Sequence, residues 1–259
     1  MTTLWARKLS LFCWLVVLTC AAVANGQESE FKQIEFDSLD GLKITADLYM
    51  KSSDKAQPFI VLCHQAGWSR GEYREIAPKL NALGFNCMAI DQRSGKAVND
   101  VANQTAKRAQ AANKGVTFVD AEQDIVAAIK YAKANFSGGK LILWGSSYSA
   151  ALALRVAGEH ADMLDGALAF APGEYFARQG KPQDWIASSV TKATCPIFIT
   201  SAKKEYRGWK NIFASISAEG KTKFVPQTAG NHGSRALWKK FGDSAEYWKA
   251  VEAFLNQFQ

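Results

Sequence analysis

The sequence predicts an α/β fold: a mainly parallel sheet with helices on both faces and an antiparallel hairpin at its start. Short, continuous apolar runs such as 58–64 have the pattern of strands that are buried on both faces. Amphipathic stretches of helical period separate these runs, which indicates right-handed crossovers between parallel strands. The segment that follows Glu30 alternates apolar and polar positions instead, which is typical of a hairpin.

The elements can be assigned in order along a chain that has no repeats. Residues 31–36 and 42–50 alternate in polarity and are joined by the turn-forming DSLDG, so they predict the hairpin. The further strands are predicted at 58–64, 85–91, 140–145, 165–172, 195–202 and 222–227. The helices are predicted at 72–84 (ended by Gly84), at 118–136 (capped by Asp120 with Gln123), from 149 onward, at 210–220 and at 244–258.

The N-terminal segment differs in composition from the rest of the chain. Two basic residues precede an uncharged run from Leu9 to Ala24 that ends in small residues, the anatomy of a secretory signal peptide. We therefore predict a signal peptide at 1–24 and one α/β domain at 25–259, secreted or periplasmic, without stable membrane insertion after cleavage. An uncleaved membrane anchor and a lipoprotein acylated at Cys20 are the weaker alternatives.

Composition excludes several functional classes. The chain of 259 residues is 48% hydrophobic and 21% charged, which is typical of a globular protein. Part of its net charge of +7 lies in 94–115 without interleaved aromatic residues, which indicates a solvated helix face and no nucleic-acid partner. Outside the N-terminal segment, Cys63, Cys87 and Cys195 match no zinc pattern. Buried free thiols are expected, with a Cys63–Cys87 bridge as the alternative.

The stretch GSSYS at 145–149 stands where a buried strand turns at once into a helix. Such a turn strains its central residue and accommodates only small residues two positions away on either side. Ser147 is then the turning residue and the nucleophile, with Gly145 and Ser149 as its small neighbours. The helix that follows directs its N-terminus at developing negative charge. Ser146 is expected to point into the fold and Ser149 to enter the helix, so neither suits nucleophilic attack.

A serine hydroxyl needs a base, and the sequence has three histidines. His232 lies in a glycine-flanked loop after the last predicted strand and is the expected base. His160 ends a helix, and His64 is expected to brace the loop that follows its strand. The carboxylate that orients the base is expected to be Glu205, with Glu174 as the alternative, because both follow a strand in the required chain order.

Backbone N–H groups are expected to stabilise the oxyanion. One belongs to Tyr148, directly after the nucleophile, and the other to Ala66, in the loop after the neighbouring strand. The expected substrate-binding residues are Gln65, Trp68, Tyr175 and Trp185.

Together these motifs resemble the α/β-hydrolase superfamily, and the compact connections resemble its dienelactone-hydrolase-like group. The resemblance rests on HQAGWSRGEY, AIDQRSG, GSSYSAA, SAKKEY and GNHGSRAL, and it covers roughly residues 31–259. It implies an α/β-hydrolase fold with eight strands and the same triad and oxyanion donors. The chain departs from the pattern twice. A serine stands where dienelactone hydrolases carry the cysteine nucleophile, and Ala202 and Glu205 stand where glycine and aspartate are usual.

The expected activity is hydrolysis of a small-molecule carboxylic ester, with a short or exposed acyl group, through an acyl-enzyme on Ser147. No cofactor is required, and no metal site is expected, because His64 and His232 lie in separate loops without zinc-motif spacing. The connection from 172 to 194 has room for a lid of one helix at most. The alternatives are a serine peptidase of the same fold and a non-catalytic ligand-binding protein, and the sequence leaves the oligomeric state open.

Overall fold

The computed structural model describes residues 1–2 and 31–259. Apart from its first two residues, the predicted signal peptide lies outside the described residues. Cys20 lies outside them as well. Within 31–259, no helix combines the length and the hydropathy that crossing a membrane requires.

An eight-stranded sheet forms the centre of the molecule, as predicted. In chain order the strands are β1 (Lys32–Asp37), β2 (Lys43–Tyr49), β3 (Phe59–Cys63), β4 (Asn86–Ile90), β5 (Ala97–Val98), β6 (Val101–Ala102), β7 (Leu141–Ser146), β8 (Gly166–Phe170), β9 (Ile197–Thr200) and β10 (Thr222–Phe224). The order across the sheet is β1-β2-β4-β3-β7-β8-β9-β10. The hairpin β1–β2 and the pair β2–β4 are antiparallel, and the other neighbours are parallel. Strands β5 and β6 form a separate small hairpin that the sequence did not predict.

Helices cover both faces of this sheet. Within the described residues they are α1 (Ile76–Ala82), α2 (Gln104–Ala111), α3 (Glu122–Asn135), α4 (Tyr148–Glu159), α5 (Trp185–Val190), α6 (Tyr206–Ser215) and α7 (Ser244–Leu255). Alternate residues of β3 belong to two apolar layers, Val61 to one and Leu62 to the other. The first layer includes side chains of α3, α4, α5 and α6, and the second those of α1 and α7. Burial on both faces explains why β3 reads as a continuous apolar run.

The helix predicted at 72–84 differs from the structure at its start. Its first part is a 3-10 turn, Arg70–Tyr73, and α1 begins only at Ile76. Pro78 accounts for the difference. In the first turn of α1 its missing N–H costs nothing, whereas a helix that began at 72 would lose an internal hydrogen bond there. The predicted end is confirmed, because Gly84 follows α1 with a φ of +95°.

Two further helix starts differ from the prediction. Asp120 does not cap α3: its carboxylate accepts hydrogen bonds from the backbone N–H and the hydroxyl of Thr117, and α3 begins at Glu122. Helix α6 begins at Tyr206 rather than at Lys210, because a 3-10 turn after β9 leads directly into it.

Candidate active site

Ser147 occupies the tight turn between β7 and α4. Its φ of 59° and ψ of −119° lie outside the regions that side-chain-bearing residues ordinarily adopt, at a cost of about 1–3 kcal/mol. Gly145 makes the turn sterically feasible, since a Cβ at this position would lie 2.2 Å from the carbonyl oxygen of Ser149. The turn therefore has the backbone strain and the close packing that the sequence predicts for a nucleophile elbow.

The other two serines of the elbow are engaged in buried hydrogen bonds. The hydroxyl of Ser146 donates to Glu72 Oε1 at 2.7 Å. The hydroxyl of Ser149 donates to the carbonyl oxygen of His64, at the end of β3. A serine is accommodated in place of the second elbow glycine because its hydroxyl finds this acceptor. Of the three hydroxyls, only that of Ser147 lies within hydrogen-bonding distance of an imidazole ring.

Ser147, His232 and Glu205 form a continuous chain of hydrogen bonds. The Nε2 atom of His232 lies 2.8 Å from Ser147 Oγ, and its Nδ1 atom lies 2.7 Å from Glu205 Oε1. A ring protonated at Nδ1 donates to Glu205, which leaves Nε2 free to accept the serine proton. The second oxygen of Glu205 accepts the N–H of Ala202 at 3.1 Å. This bond holds the glutamate, one methylene longer than the usual aspartate, at hydrogen-bonding distance from the ring.

Glu174, the alternative acid, has a different position. Its two carboxylate oxygens accept the backbone N–H groups of Ile186 and Ala187 at 2.9 and 2.8 Å, at the start of α5. Burial raises its pKa. The structure thus brings Glu205 to His232 and leaves Glu174 as a cap on the first turn of α5.

The two predicted oxyanion donors lie at one edge of the sheet. Strands β3 and β7 are parallel neighbours, so the loop after β3 and the elbow after β7 end side by side. Within the part of the chain that the structure describes, the N–H groups of Ala66 and Tyr148 have no acceptor, and Ala66 is exposed. The N–H of Gln65 instead donates to Glu72 Oε2 at 2.8 Å. The N–H of Ala66 therefore remains available in this loop, whereas that of Gln65 does not.

His64 braces the loop after β3, as predicted. Its buried ring lies with Nδ1 2.8 Å from the carbonyl oxygen of Gln65, and Nε2 accepts the N–H of Gln92 at 3.1 Å. Burial lowers the pKa of His64 to about 4, so the ring is neutral near pH 7 and acts as one donor and one acceptor. His160 is half-buried at the C-terminal end of α4.

Two of the predicted substrate-binding aromatic residues lie beside this edge of the sheet. Trp68, two residues after the predicted oxyanion donor Ala66, is half-buried and stacks on Trp238 with ring centroids 5.3 Å apart. Tyr175 is 39% exposed, and its hydroxyl donates to the carbonyl oxygen of Ala171 at 2.8 Å. Burial, with a smaller contribution from the charge of Glu205, raises the pKa of Tyr175 to about 12.

Gln65 and Trp185 have contrasting surroundings. The side chain of Gln65 is buried and packs against Gly233, the residue after His232. A Cβ on Gly233 would lie 2.6 Å from Gln65 Oε1. The ring of Trp185 contacts Phe176 at 4.9 Å between centroids, and the Arg155 guanidinium lies 4.2 Å above it. These contacts make Trp185 part of the packing of α5 on α4. A role for Trp185 in substrate binding stays a prediction without a supporting contact.

The three cysteines of the described domain are unpaired. Cys63, Cys87 and Cys195 are buried free thiols, so the alternative of a Cys63–Cys87 bridge is wrong. Among the residues described, no group of three or more His, Cys, Asp or Glu side chains is arranged to hold a metal ion.

Comparison with known proteins agrees with the fold. The sequence profile of the family described as serine aminopeptidase, S33, matches residues 54–215, more than half of the chain. The chain belongs to this family. It is a hydrolase of the α/β type, and the matched region includes Ser147 and Glu205 but ends before His232. A search among functionally curated proteins finds no match.

Solved structures show the same fold at low sequence identity. An esterase of Pyrococcus furiosus is 20% identical, with a TM-score of 0.63 over 88% of this chain and 93% of that chain. A dienelactone hydrolase of Anabaena variabilis is 13% identical, with a TM-score of 0.66 over 88% of this chain and 99% of that chain. Est1E of Butyrivibrio proteoclasticus is 16% identical, with a TM-score of 0.62 over 87% of this chain and 98% of that chain. These similarities support the α/β-hydrolase fold that the motifs predict.

Proposed function

We propose that this protein hydrolyses carboxylic esters with short or exposed acyl groups through an acyl-enzyme on Ser147. The observation that carries the proposal is the hydrogen-bond chain from Glu205 through His232 to Ser147, with distances of 2.7 and 2.8 Å. This is the arrangement in which a base activates a hydroxyl nucleophile and a carboxylate orients the base.

In the proposed cycle, Ser147 Oγ attacks the ester carbonyl while His232 Nε2 takes its proton. The N–H groups of Ala66 and Tyr148 donate to the oxyanion that forms. His232 then returns the proton to the departing alkoxide, which leaves as an alcohol. A water molecule, deprotonated by the same histidine, attacks the acyl-enzyme and releases the carboxylic acid and free Ser147.

The connection between β8 and β9 supports a substrate with an exposed acyl group. Its only α-helix among the described residues is α5, in which Ile186 and Val190 are buried in the same core layer as α4 and α6. The segment therefore packs on the body of the fold instead of forming a separate cap domain. A site without such a cap suits acyl groups carried on a larger molecule.

An aminopeptidase activity is the second candidate, because the family description names it. Such an enzyme needs a carboxylate that is free to pair with the α-ammonium group of its substrate. The carboxylates of Glu72, Glu174 and Glu205 around the site all have both oxygens in hydrogen bonds with the protein. Arg235, by contrast, lies 6.0 Å from the ring of Trp68 and has no ion pair within the described residues. This charge distribution favours an ester over a peptide with a free amino terminus.

A paired substrate panel tests the proposal. We expect the wild-type protein to hydrolyse p-nitrophenyl esters from acetate to decanoate, with the highest kcat/KM among the shorter chains. Hydrolysis of aminoacyl p-nitroanilides should be slower by at least about a hundredfold, since an amide has the poorer leaving group. Comparable or faster cleavage of the anilides would establish the peptidase instead, and no turnover of either class would favour a binding protein.

The triad acid can be tested with two matched substitutions. Glu205→Gln should lower kcat for the best ester by about a hundredfold or more, because an amide neither fixes the tautomer of His232 nor stabilises its protonated form. Glu174→Gln makes the same chemical change at a carboxylate that caps α5, and kcat should stay within about twofold of wild type. The reverse pattern of kcat values would identify Glu174 as the acid.

A further inference from the structure

Glu72 is a buried carboxylate directly beneath the site. It lies in the 3-10 turn Arg70–Tyr73, and its side chain is inaccessible to solvent. The sequence gives no signal for this burial, because Glu72 lies in a polar segment with helical character. No Lys or Arg side chain forms a salt bridge with it within the described residues.

The carboxylate of Glu72 connects the three segments that carry the reacting groups. Its Oε2 atom accepts the N–H of Gln65 at 2.8 Å, which positions the oxyanion loop (residues 64–68). Its Oε1 atom accepts the hydroxyl of Ser146 at 2.7 Å, next to the nucleophile.

The Ser146 oxygen in turn accepts the N–H of Ser234 at 2.9 Å, in the histidine loop (residues 230–235). The hydroxyl of Ser234 accepts the indole N–H of Trp144 at 2.8 Å, which attaches the network to β7.

The ionisation of Glu72 is electrostatically coupled to the site above it. Burial raises the pKa of Glu72 to about 7, while the hydrogen bonds from Ser146 and Gln65 and the charges of His232 and Arg235 lower it. Tyr73 and Tyr148 are the other titratable groups near it, and a Glu72 carboxylate disfavours their ionisation. Because Glu72 is buried, solvent screens its charge only weakly toward His232.

We propose that Glu72 is a positioning residue of the hydrolytic site, one that aligns the oxyanion and histidine loops with Ser147 and whose negative charge stabilises protonated His232. This inference rests on the proposed ester hydrolysis. Glu72 does not contact the ester and exchanges no proton in the reaction. The proton of Ser147 passes to His232, and the imidazolium that results is hydrogen-bonded to Glu205 and attracted by the charge of Glu72.

Glu72→Gln separates the charge from the geometry. The amide oxygen can accept the Gln65 N–H, and the amide nitrogen can donate to the Ser146 oxygen if that hydroxyl turns away. The connections are kept and only the charge is lost. We expect kcat at pH 8.5 to fall on the order of tenfold, the effect of losing an interaction equal to one pKa unit. The deficit should grow between about pH 6 and pH 8, as wild-type Glu72 ionises.

The acid side of the pH profile gives a readout that a purely structural role would leave unchanged. Without the nearby negative charge, protonated His232 is less stable, so the acid-side midpoint of kcat/KM should move to lower pH. The expected shift is about 0.5, half of the full interaction, because wild-type Glu72 is only about half ionised near pH 7. Glu174→Gln, which alters a carboxylate that also accepts two backbone N–H groups, should leave the profile at its wild-type position. A wild-type rate and profile for Glu72→Gln would overturn the inference.

Ser146→Ala tests the connection while the charge is kept, and it serves as well if Glu72→Gln fails to fold. The Ser234 N–H then loses its acceptor and the histidine loop loses its link to Glu72. We expect kcat to fall by about fivefold or more on the alkaline plateau, where Glu72 is ionised and only the connection differs from wild type. An unchanged kcat would remove the positioning role.

NMR titration of the imidazole resonances distinguishes failure of this inference from failure of the proposed function. The chain has three histidines, and His160 at the end of α4 is an internal reference. The titration midpoint of His232 should move to lower pH in Glu72→Gln while that of His160 stays constant, whether or not the protein turns over an ester. Inactive wild type with this shift would reject the ester activity alone. Active wild type without the shift would reject the role of the Glu72 charge.

Discussion

Ser147→Ala is expected to lower kcat/KM for a short-chain ester by at least about a thousandfold, the scale of removing a triad nucleophile. The reason is geometric, because Ser147 Oγ lies 2.8 Å from His232 Nε2 and the alanine leaves the base without a nucleophile to activate. The neighbouring serines cannot substitute for it, since the Ser146 hydroxyl bonds to Glu72 and the Ser149 hydroxyl bonds to the carbonyl of His64. Steady-state kinetics with p-nitrophenyl acetate would measure the loss.

The stability of this variant separates catalysis from folding. Alanine carries the same Cβ into the positive-φ conformation of residue 147, so the free energy of unfolding should stay within about 1 kcal/mol of wild type. Ser188→Ala, at an exposed serine of α5, is the matched control and should keep wild-type kinetics. A Ser147→Ala protein that folds and retains full activity would show that another residue is the nucleophile.

Gly145→Ala is expected to lower the free energy of unfolding by about 3 kcal/mol or more and to abolish reaction of Ser147 with a fluorophosphonate probe. The added Cβ would lie 2.2 Å from the Ser149 carbonyl oxygen and 2.6 Å from Ala150 Cα. Both are backbone atoms of the first turn of α4, so no side chain can move to relieve the clash. The turn itself would have to open, which displaces Ser147 from His232. Urea denaturation and probe labelling measure the two effects.

Gly208→Ala is the matched control for this substitution. Gly208 is exposed in α6, and a Cβ there would meet no atom within 4 Å. Alanine should therefore raise the free energy of unfolding by up to about 1 kcal/mol through its higher helix propensity. Equal urea midpoints for Gly145→Ala and wild type would contradict the close packing of the elbow.

The sequence predicted those elements whose pattern follows directly from burial. The run 58–64 is apolar throughout because β3 is covered on both faces, and β1–β2 alternate because they form a hairpin at the edge of the sheet. The predicted helix starts were less accurate where a nearby proline or a local side-chain hydrogen bond shifts the first residue of the helix. Pro78 delays the start of α1, and Asp120 bonds to Thr117 instead of capping α3. The short β5–β6 hairpin has too few residues for a periodic signal.

The contact of Glu205 with His232 and the burial of Glu72 both depend on segments that are distant in the chain. Glu174 and Glu205 both follow a strand, so the sequence favoured Glu205 but left Glu174 as an alternative. The difference is that the backbone N–H groups of α5 bind both oxygens of Glu174, whereas the turn after β9 directs Glu205 at His232. Glu72 reads as a polar helix residue, and its burial arises only because the 3-10 turn packs beneath the loops that follow β3 and β10.

By itself the sequence determined the α/β fold, the elbow with Ser147 as its turning residue, and His232 as the partner of that serine. Each follows from a short-range constraint: the period of apolar residues, the space available in a strand-to-helix turn, and the small number of histidines. The sequence favoured Glu205 and kept Glu174 as the alternative; only the tertiary structure showed which carboxylate contacts His232 and revealed Glu72. Hydrogen bonds between residues far apart in the chain decide both, and a linear pattern does not record which segments become neighbours when the sheet closes.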